Sequence, residues 1–221
     1  MSRTTETLTP DLHEYLLRHN RPQPDALLRD LVTDTAGALA DDAEMQIAPE
    51  QGAFMTLLTR LLGVEFAVEV GTFTGYSSVC IARGLAPGGR LLCCDVSEEF
   101  TAIAQRYWKR AGLSDRIELR LAPALDTLRA LPGDPRVDLA FIDADKGGYV
   151  DYWEELVPRM RPGGVVLVDN VFADGRVAGD DARTSENVAA IRRFNDHAAA
   201  DDRVELAMLP IADGLTFARK V

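Results

Sequence analysis

The sequence predicts an α/β fold: a mostly parallel, doubly wound sheet with N-terminal helices and a C-terminal antiparallel hairpin. Three observations point there. From residue 66 onward, short β-rich runs alternate with longer helix-like stretches. The connections between the first five runs are all longer than a dozen residues, as crossovers between parallel strands must be. The runs are also almost continuously apolar, the character of strands covered on both faces.

Residues 1–62 have helical spacing. Leu12, Tyr15 and Leu16 share one face, Leu27, Leu28, Leu31 and Val32 a second, and Phe54, Leu57, Leu58, Leu61 and Leu62 a third, with Pro10, Pro24 and Pro49 near helix starts. Strands are then expected at 66–70, 90–96, 116–120, 137–143 and 165–169, with helices at 76–84, 98–112, 124–131 and 149–160 between them. A further helix is expected over 184–200. The runs 203–209 and 214–220 are joined only by Pro210-Ile211-Ala212-Asp213, which permits nothing but an antiparallel hairpin. A length of 221 residues suits one domain, 1–221, in which 1–62 is a helical segment and 63–221 the α/β core.

Composition removes several function classes. Lys and Arg number 24 against 35 Asp and Glu, a net charge of −11, which opposes binding to nucleic acid or to anionic membranes. Small molecules are the expected ligands. No apolar run approaches the roughly 18 residues of a membrane span, and residues 1–20 lack a signal-peptide core, so a cytoplasmic protein is expected. Cys80, Cys93 and Cys94 are odd in number, sit in apolar surroundings and have no nearby His. They are expected to be small core residues, neither a disulfide framework nor a zinc site.

In an open parallel sheet, ligands bind beyond the carboxyl ends of the strands. The first strand runs into Val68-Glu69-Val70-Gly71-Thr72-Phe73-Thr74-Gly75-Tyr76-Ser77, a glycine turn that opens a helix. Gly71 and Gly75 permit close backbone approach to a ligand, and the helix start offers free N–H groups to a carboxylate. Phe73 stands where the dinucleotide fingerprint needs a second glycine to admit a pyrophosphate. Glu69 would repel phosphates but suits an ammonium group. Asp95 ends the second strand twenty residues after Gly75, the spacing of a carboxylate that accepts from ribose hydroxyls; its other role would be to cap the helix near Glu98. An adenosine-type cofactor without pyrophosphate is expected, and S-adenosylmethionine fits.

The fourth strand ends in Phe141-Ile142-Asp143-Ala144-Asp145-Lys146 and the fifth in Val168-Asp169-Asn170. Adjacent strands would bring Asp143, Asp169 and Asn170 together as three hard oxygen donors suited to Mg²⁺, unless the carboxylates merely cap helices. Lys146, three residues past Asp143, is a candidate general base beside such a cation, or else a surface lysine.

With Met45-Gln46-Ile47-Ala48-Pro49-Glu50-Gln51-Gly52 and Leu209-Pro210-Ile211-Ala212-Asp213-Gly214, these motifs resemble the cation-dependent class I O-methyltransferases of the caffeoyl-CoA and catechol type, from Met45 to Lys220. The resemblance implies a Rossmann-like methyltransferase sheet, usually a homodimer, that methylates a hydroxyl of a small phenolic acceptor, a vicinal diphenol. It implies that Glu69, Gly71, Thr72 and Ser77 line the methionine part of the cofactor, with Gln46 nearby. Asp95 would take the ribose, Ala124 the adenine, and Asp145 would lie near the amino group. Asp143, Asp169 and Asn170 match the ligands of Mg²⁺ or another divalent ion such as Mn²⁺ or Ca²⁺, and Lys146 matches the general base. Two positions depart from the family. Ala122 replaces a common Gly before Pro123, and Pro210 stands where mammalian catechol methyltransferases carry a substrate-orienting Glu. The residues before Met45 and the loop 172–183 are expected to shape the acceptor pocket. The competing classes are a nicotinamide oxidoreductase, disfavoured by the glycine spacing, and a non-catalytic nucleotide-binding module, disfavoured because every proposed metal position and Lys146 are present.

Overall fold

The computed structural model describes residues 6–134, 136–179 and 185–221. Three helices lead in: α1 (Pro10–His19), α2 (Ala26–Ala38) and α3 (Pro49–Leu62). Thr9 and Asp25 cap the first two by accepting from Leu12 N and Leu28 N, Pro49 opens the third, and Gly63 in the left-handed region closes it. Strand and helix then alternate through β1 (Phe66–Val70), α4 (Tyr76–Gly84), β2 (Arg90–Asp95), α5 (Glu98–Arg110), β3 (Ile117–Leu121), α6 (Ala124–Arg129), β4 (Val137–Ile142), α7 (Tyr149–Leu156) and β5 (Met160–Val168). The chain finishes with α8 (Glu186–Ala199), β6 (Val204–Leu209) and β7 (Leu215–Lys220). Among the described residues, no helix is long and apolar enough to cross a membrane.

The strands form one sheet in the order β3-β2-β1-β4-β5-β7-β6. The first five are parallel, and β7 runs antiparallel between β5 and β6. The sheet changes direction at β1 and β4, so the loops leaving those two strands open the crevice where a ligand belongs. One boundary differs clearly from the sequence expectation. α7 stops at Leu156, because Pro158 lies in the following turn, and β5 starts at Met160 instead of 165. Met160 pairs with Val137 across a register irregularity that the glycines at 163 and 164 absorb. Thr184, expected to begin the last helix, lies outside the described residues, and Ser185 caps α8 by accepting from Val188 N.

Period-two alternation divides the core into two layers. Ala67, Leu91, Cys93, Leu139, Phe141 and Leu167 face α2 to α5, whereas Val68, Val70, Leu92, Cys94, Ala140 and Ile142 face α6 to α8. All three cysteines are buried free thiols, as expected.

Glycine sets the approach of α3 to α4. A Cβ at Gly84 would lie 2.5 Å from Thr59 Cβ and 2.7 Å from the Thr56 carbonyl oxygen. Since α3 carries residues that face the crevice, this contact also positions the site. Helix propensity alone favours alanine over glycine by about 1 kcal/mol, while overpacking a close contact costs about 1–3 kcal/mol. Gly84→Ala is therefore expected to lower the urea midpoint of unfolding; a midpoint at or above that of the wild type would show that the helices part without cost.

Candidate active site

The parallel hydrogen-bond ladder continues one residue past the strands. Gly71 N donates to Cys94 O at 2.9 Å, Asp143 N to Val70 O at 2.8 Å, and Asp169 N to Ile142 O at 3.0 Å. The backbone of each loop's first residue is therefore as fixed as the sheet itself. A cavity of about 930 Å³ opens at this edge. Its wall brings together Gln46, Gly71, Thr72, Ser77, Asp95, Ala124, Asp143, Asp145, Lys146, Asp169 and Asn170, every residue expected to hold cofactor, cation or proton except Glu69; Gly75, expected to let a ligand approach, instead packs on α5, where a Cβ would lie 2.8 Å from Ala104 Cβ.

At one end lies the glycine turn. Gly71 has φ +88°, and a Cβ there would lie 1.8 Å from the Asp143 carbonyl oxygen. Glycine is required because the β4 loop crosses it, not only because a ligand does. Asp95 Oδ2 accepts from Thr72 N and Phe73 N, each at 2.9 Å, and its Oδ1 accepts from Ser97 N at 2.8 Å. The cap of α5 is Ser97, which accepts from Phe100 N. Asp95 thus organises the turn with three of its four acceptor sites, and one is left over on Oδ1. Gln46 Nε2 donates to Thr35 Oγ1 at 2.9 Å and Thr74 Oγ1 at 2.8 Å, tying the N-terminal segment over the same turn.

Glu69 sits behind the turn, not on the cavity wall. It is fully buried in the apolar layer opposite Cys93 on β2, whose Sγ donates to Glu69 Oε2 at 3.2 Å, and its Oε1 has no partner among the described residues. Burial pushes its carboxyl up to about 7, against the opposing pull of Ser77, Cys93 and Thr72 beside it.

Beyond Asp143, Lys146 Nζ donates to Asn170 Oδ1 at 2.6 Å, Tyr149 OH at 2.7 Å and Asp143 Oδ1 at 3.1 Å. Lys146 is therefore no free surface lysine. Asn170 takes φ +57°, a left-handed conformation that asparagine tolerates well. Asp169 is buried, and its carboxyl is held above the usual range by burial first and by the charge of Asp143 next. Three further residues escaped the sequence reading. Tyr149 OH accepts from Lys146 and donates to the Asp169 carbonyl at 3.2 Å. Tyr152 OH donates to Asp145 Oδ1 at 2.5 Å, and Gln51 Nε2 donates to Asp169 Oδ2 at 2.7 Å. The tyrosines lie on α7 three residues past Lys146 and seven past Asp145, so helical spacing from those polar residues was the available signal. Of the loop expected to shape the acceptor pocket, residues 180–183 lie outside the described residues.

A family model described as O-methyltransferase matches residues 20–221. The chain belongs to the O-methyltransferase family. It is 42% identical to a probable caffeoyl-CoA O-methyltransferase 1 of Dictyostelium discoideum, over 78% of this chain and 76% of that protein. It is 36% identical to the catechol O-methyltransferase domain-containing protein 1 of Mus musculus, over 100% of this chain and 85% of that one. Among solved structures, an O-methyltransferase from Bacillus cereus in complex with SAH superposes with a TM-score of 0.85 at 34% identity, over 96% of this chain and 97% of that one. The family sets aside the oxidoreductase alternative.

In this O-methyltransferase, Glu69 makes the stability of the empty enzyme depend on pH. The folded-state pKa, about 7, lies above the ordinary 4.5, so the native state binds the extra proton. Its contribution is complete below about pH 4.5 and is lost as pH rises through about 7. Glu69→Gln removes that loss, by on the order of 3 kcal/mol at pH 8 from the size of the shift. Urea unfolding at pH 5 and pH 8 should show the variant gaining on the wild type as pH rises; a pH-independent difference would mean that Glu69 is ionised throughout.

Proposed function

We propose that this O-methyltransferase transfers a methyl group from S-adenosylmethionine to one hydroxyl of a small vicinal diphenol. In this reading Asp143, Asp169 and Asn170 hold a divalent cation, Mg²⁺ or a similar ion such as Mn²⁺ or Ca²⁺, and Lys146 is the general base. The observation that carries it is the position of the Lys146 side-chain nitrogen, within hydrogen-bond distance of Asp143 and Asn170 on the cavity wall. The SAH complex of the Bacillus cereus protein supports the cofactor, and the relatives named for caffeoyl-CoA and catechol support the acceptor class.

The residues present fit both groups. The start of α4 offers backbone N–H groups to a carboxylate, Asp95 offers a carboxylate to ribose hydroxyls, and Phe73 closes the turn to a pyrophosphate. Around Lys146, two carboxylates and an amide are hard oxygen donors. Asp169 and Asp143 repel one another in a buried setting, and a doubly positive ion relieves that repulsion.

When bound, S-adenosylmethionine supplies a methyl carbon on a positively charged sulfur, and the cation supplies Lewis-acid polarisation of the acceptor hydroxyl. The remaining work belongs to the chain. Asp143, Asp169 and Asn170 fix the oxygen end of the cavity, while Asp95 and the turn from Gly71 to Gly75 fix the sulfur end. In its amine form, reached by giving its own proton to solvent, Lys146 takes the hydroxyl proton at Nζ, and Tyr149 keeps that nitrogen in place. Alignment of this kind contributes about 7 kcal/mol or more to lowering a barrier.

Methylation of a catechol is expected to stop in excess chelator and to resume with added Mg²⁺. Lys146→Ala should lower kcat by roughly 10²–10⁴ while SAH affinity, read by calorimetry, stays near the wild-type value. Full turnover in chelator would remove the cation from the reading, and near wild-type kcat in the folded variant would reassign Lys146 to substrate positioning.

A further inference from the structure

We infer that Gln51 is a positioning residue for cation binding: its side-chain amide holds the Asp169 carboxylate in the orientation that faces Asp143 and Asn170. The inference rests on the proposed role of those three residues and adds a fourth, from a different part of the chain. Gln51 is completely buried in α3, and Nε2 donates to Asp169 Oδ2 at 2.7 Å, a contact between residues 118 positions apart. The other oxygen, Oδ1, accepts from Asn170 N, also at 2.7 Å. Each carboxylate oxygen therefore has one donor that fixes its direction and a lone pair left over. The donor at position 51 is neutral, so it orients Asp169 without balancing its charge.

The other half of the amide shows that this bond is the reason for the residue. Gln51 Oε1 is buried and has no hydrogen-bond partner among the described residues. A buried amide with an unmet carbonyl is a poor choice for stability, where methionine would fill similar space without a polar group. The amide cannot turn over to remedy this, since its oxygen would then face the carboxylate of Asp169. Nor does Asp169 set where Gln51 lies. The neighbouring Gly52 packs so closely on α4 that a Cβ there would come within 2.9 Å of both Tyr76 and Cys80, so the helix contact places position 51. α3 thus delivers a rigid donor to the end of β5.

The test is the affinity of the full-length protein for Mn²⁺, followed by electron paramagnetic resonance in the presence of SAH. Gln51→Met should weaken Mn²⁺ binding by about 10- to 100-fold, the range for removing an outer partner of a metal ligand. SAH affinity and melting temperature should be unchanged or, for the melting temperature, higher. Gln51→Asn, which keeps the amide but withdraws it by one methylene, should weaken Mn²⁺ similarly and serves if the methionine variant does not fold. Folded variants that bind Mn²⁺ as tightly as the wild type would overturn the inference, as would a loss confined to melting temperature and SAH affinity. A wild-type protein that binds no Mn²⁺ would instead overturn the cation reading itself, a result visible before any substitution is made.

Discussion

Two carboxylates placed side by side at the ends of adjacent parallel strands are the constraint on which the site depends. The sheet ladder fixes the backbone of Asp143 and Asp169 through bonds to Val70 and Ile142, so neither residue can retreat from the other by moving its main chain. Their neighbours are arranged around that fact. Gly71 has no side chain because the Asp143 carbonyl occupies the space, Asn170 adopts a left-handed turn beside Asp169, and Lys146 brings a positive charge to Asp143 and Asn170. Under the proposed function, a divalent ion would offset the charge of the two carboxylates, a task that here falls to the Lys146 contact with Asp143.

Two stretches of the cavity wall are built differently. At the glycine turn the chain orders its own loop: one Asp95 oxygen gathers two backbone N–H groups, and Gln46 ties a separate segment to Thr74. Around Asp143, Asp169 and Lys146, charge is concentrated and held by neutral partners: Gln51 donates to Asp169, and the Tyr149 hydroxyl accepts from Lys146. Burying a carboxylate as deeply as Glu69 or Asp169 without full ion pairing works against stability. The fold compensates through two apolar layers packed on both faces of the sheet.

Most of the fold was legible because its signals are local. β1 and α4 follow the expected boundaries, since an apolar run ending in a glycine turn and a helix start is nearly unambiguous. The start of β5 was not legible: Met160 enters the sheet only by pairing with Val137, a contact that nothing between 157 and 164 encodes by periodicity. The site followed the same division. Asp95, Asp143, Lys146, Asp169 and Asn170 could be found because strand ends in a parallel sheet converge by topology. Gln51 could not, because its contact with Asp169 arises from helix packing against the strand end and in the sequence it resembles an ordinary helix polar residue; for Tyr149 the only signal was its helical spacing from Lys146. Glu69 was expected to face the cofactor, and alternation along β1 turns its side chain into the layer that holds Cys93, beneath the cavity.

If the carboxylate pair holds a cation beside Lys146 as proposed, it would stabilise an acceptor oxygen in its ionised form. The most direct measurement is the visible absorption spectrum of 4-nitrocatechol, whose ionised form absorbs at longer wavelength, bound to the protein with SAH at a pH where the free compound is largely protonated. The account predicts an ionised spectrum in the presence of Mg²⁺ that reverts on adding chelator. A bound ligand that keeps its neutral spectrum, or an ionised spectrum that persists in chelator, would contradict it.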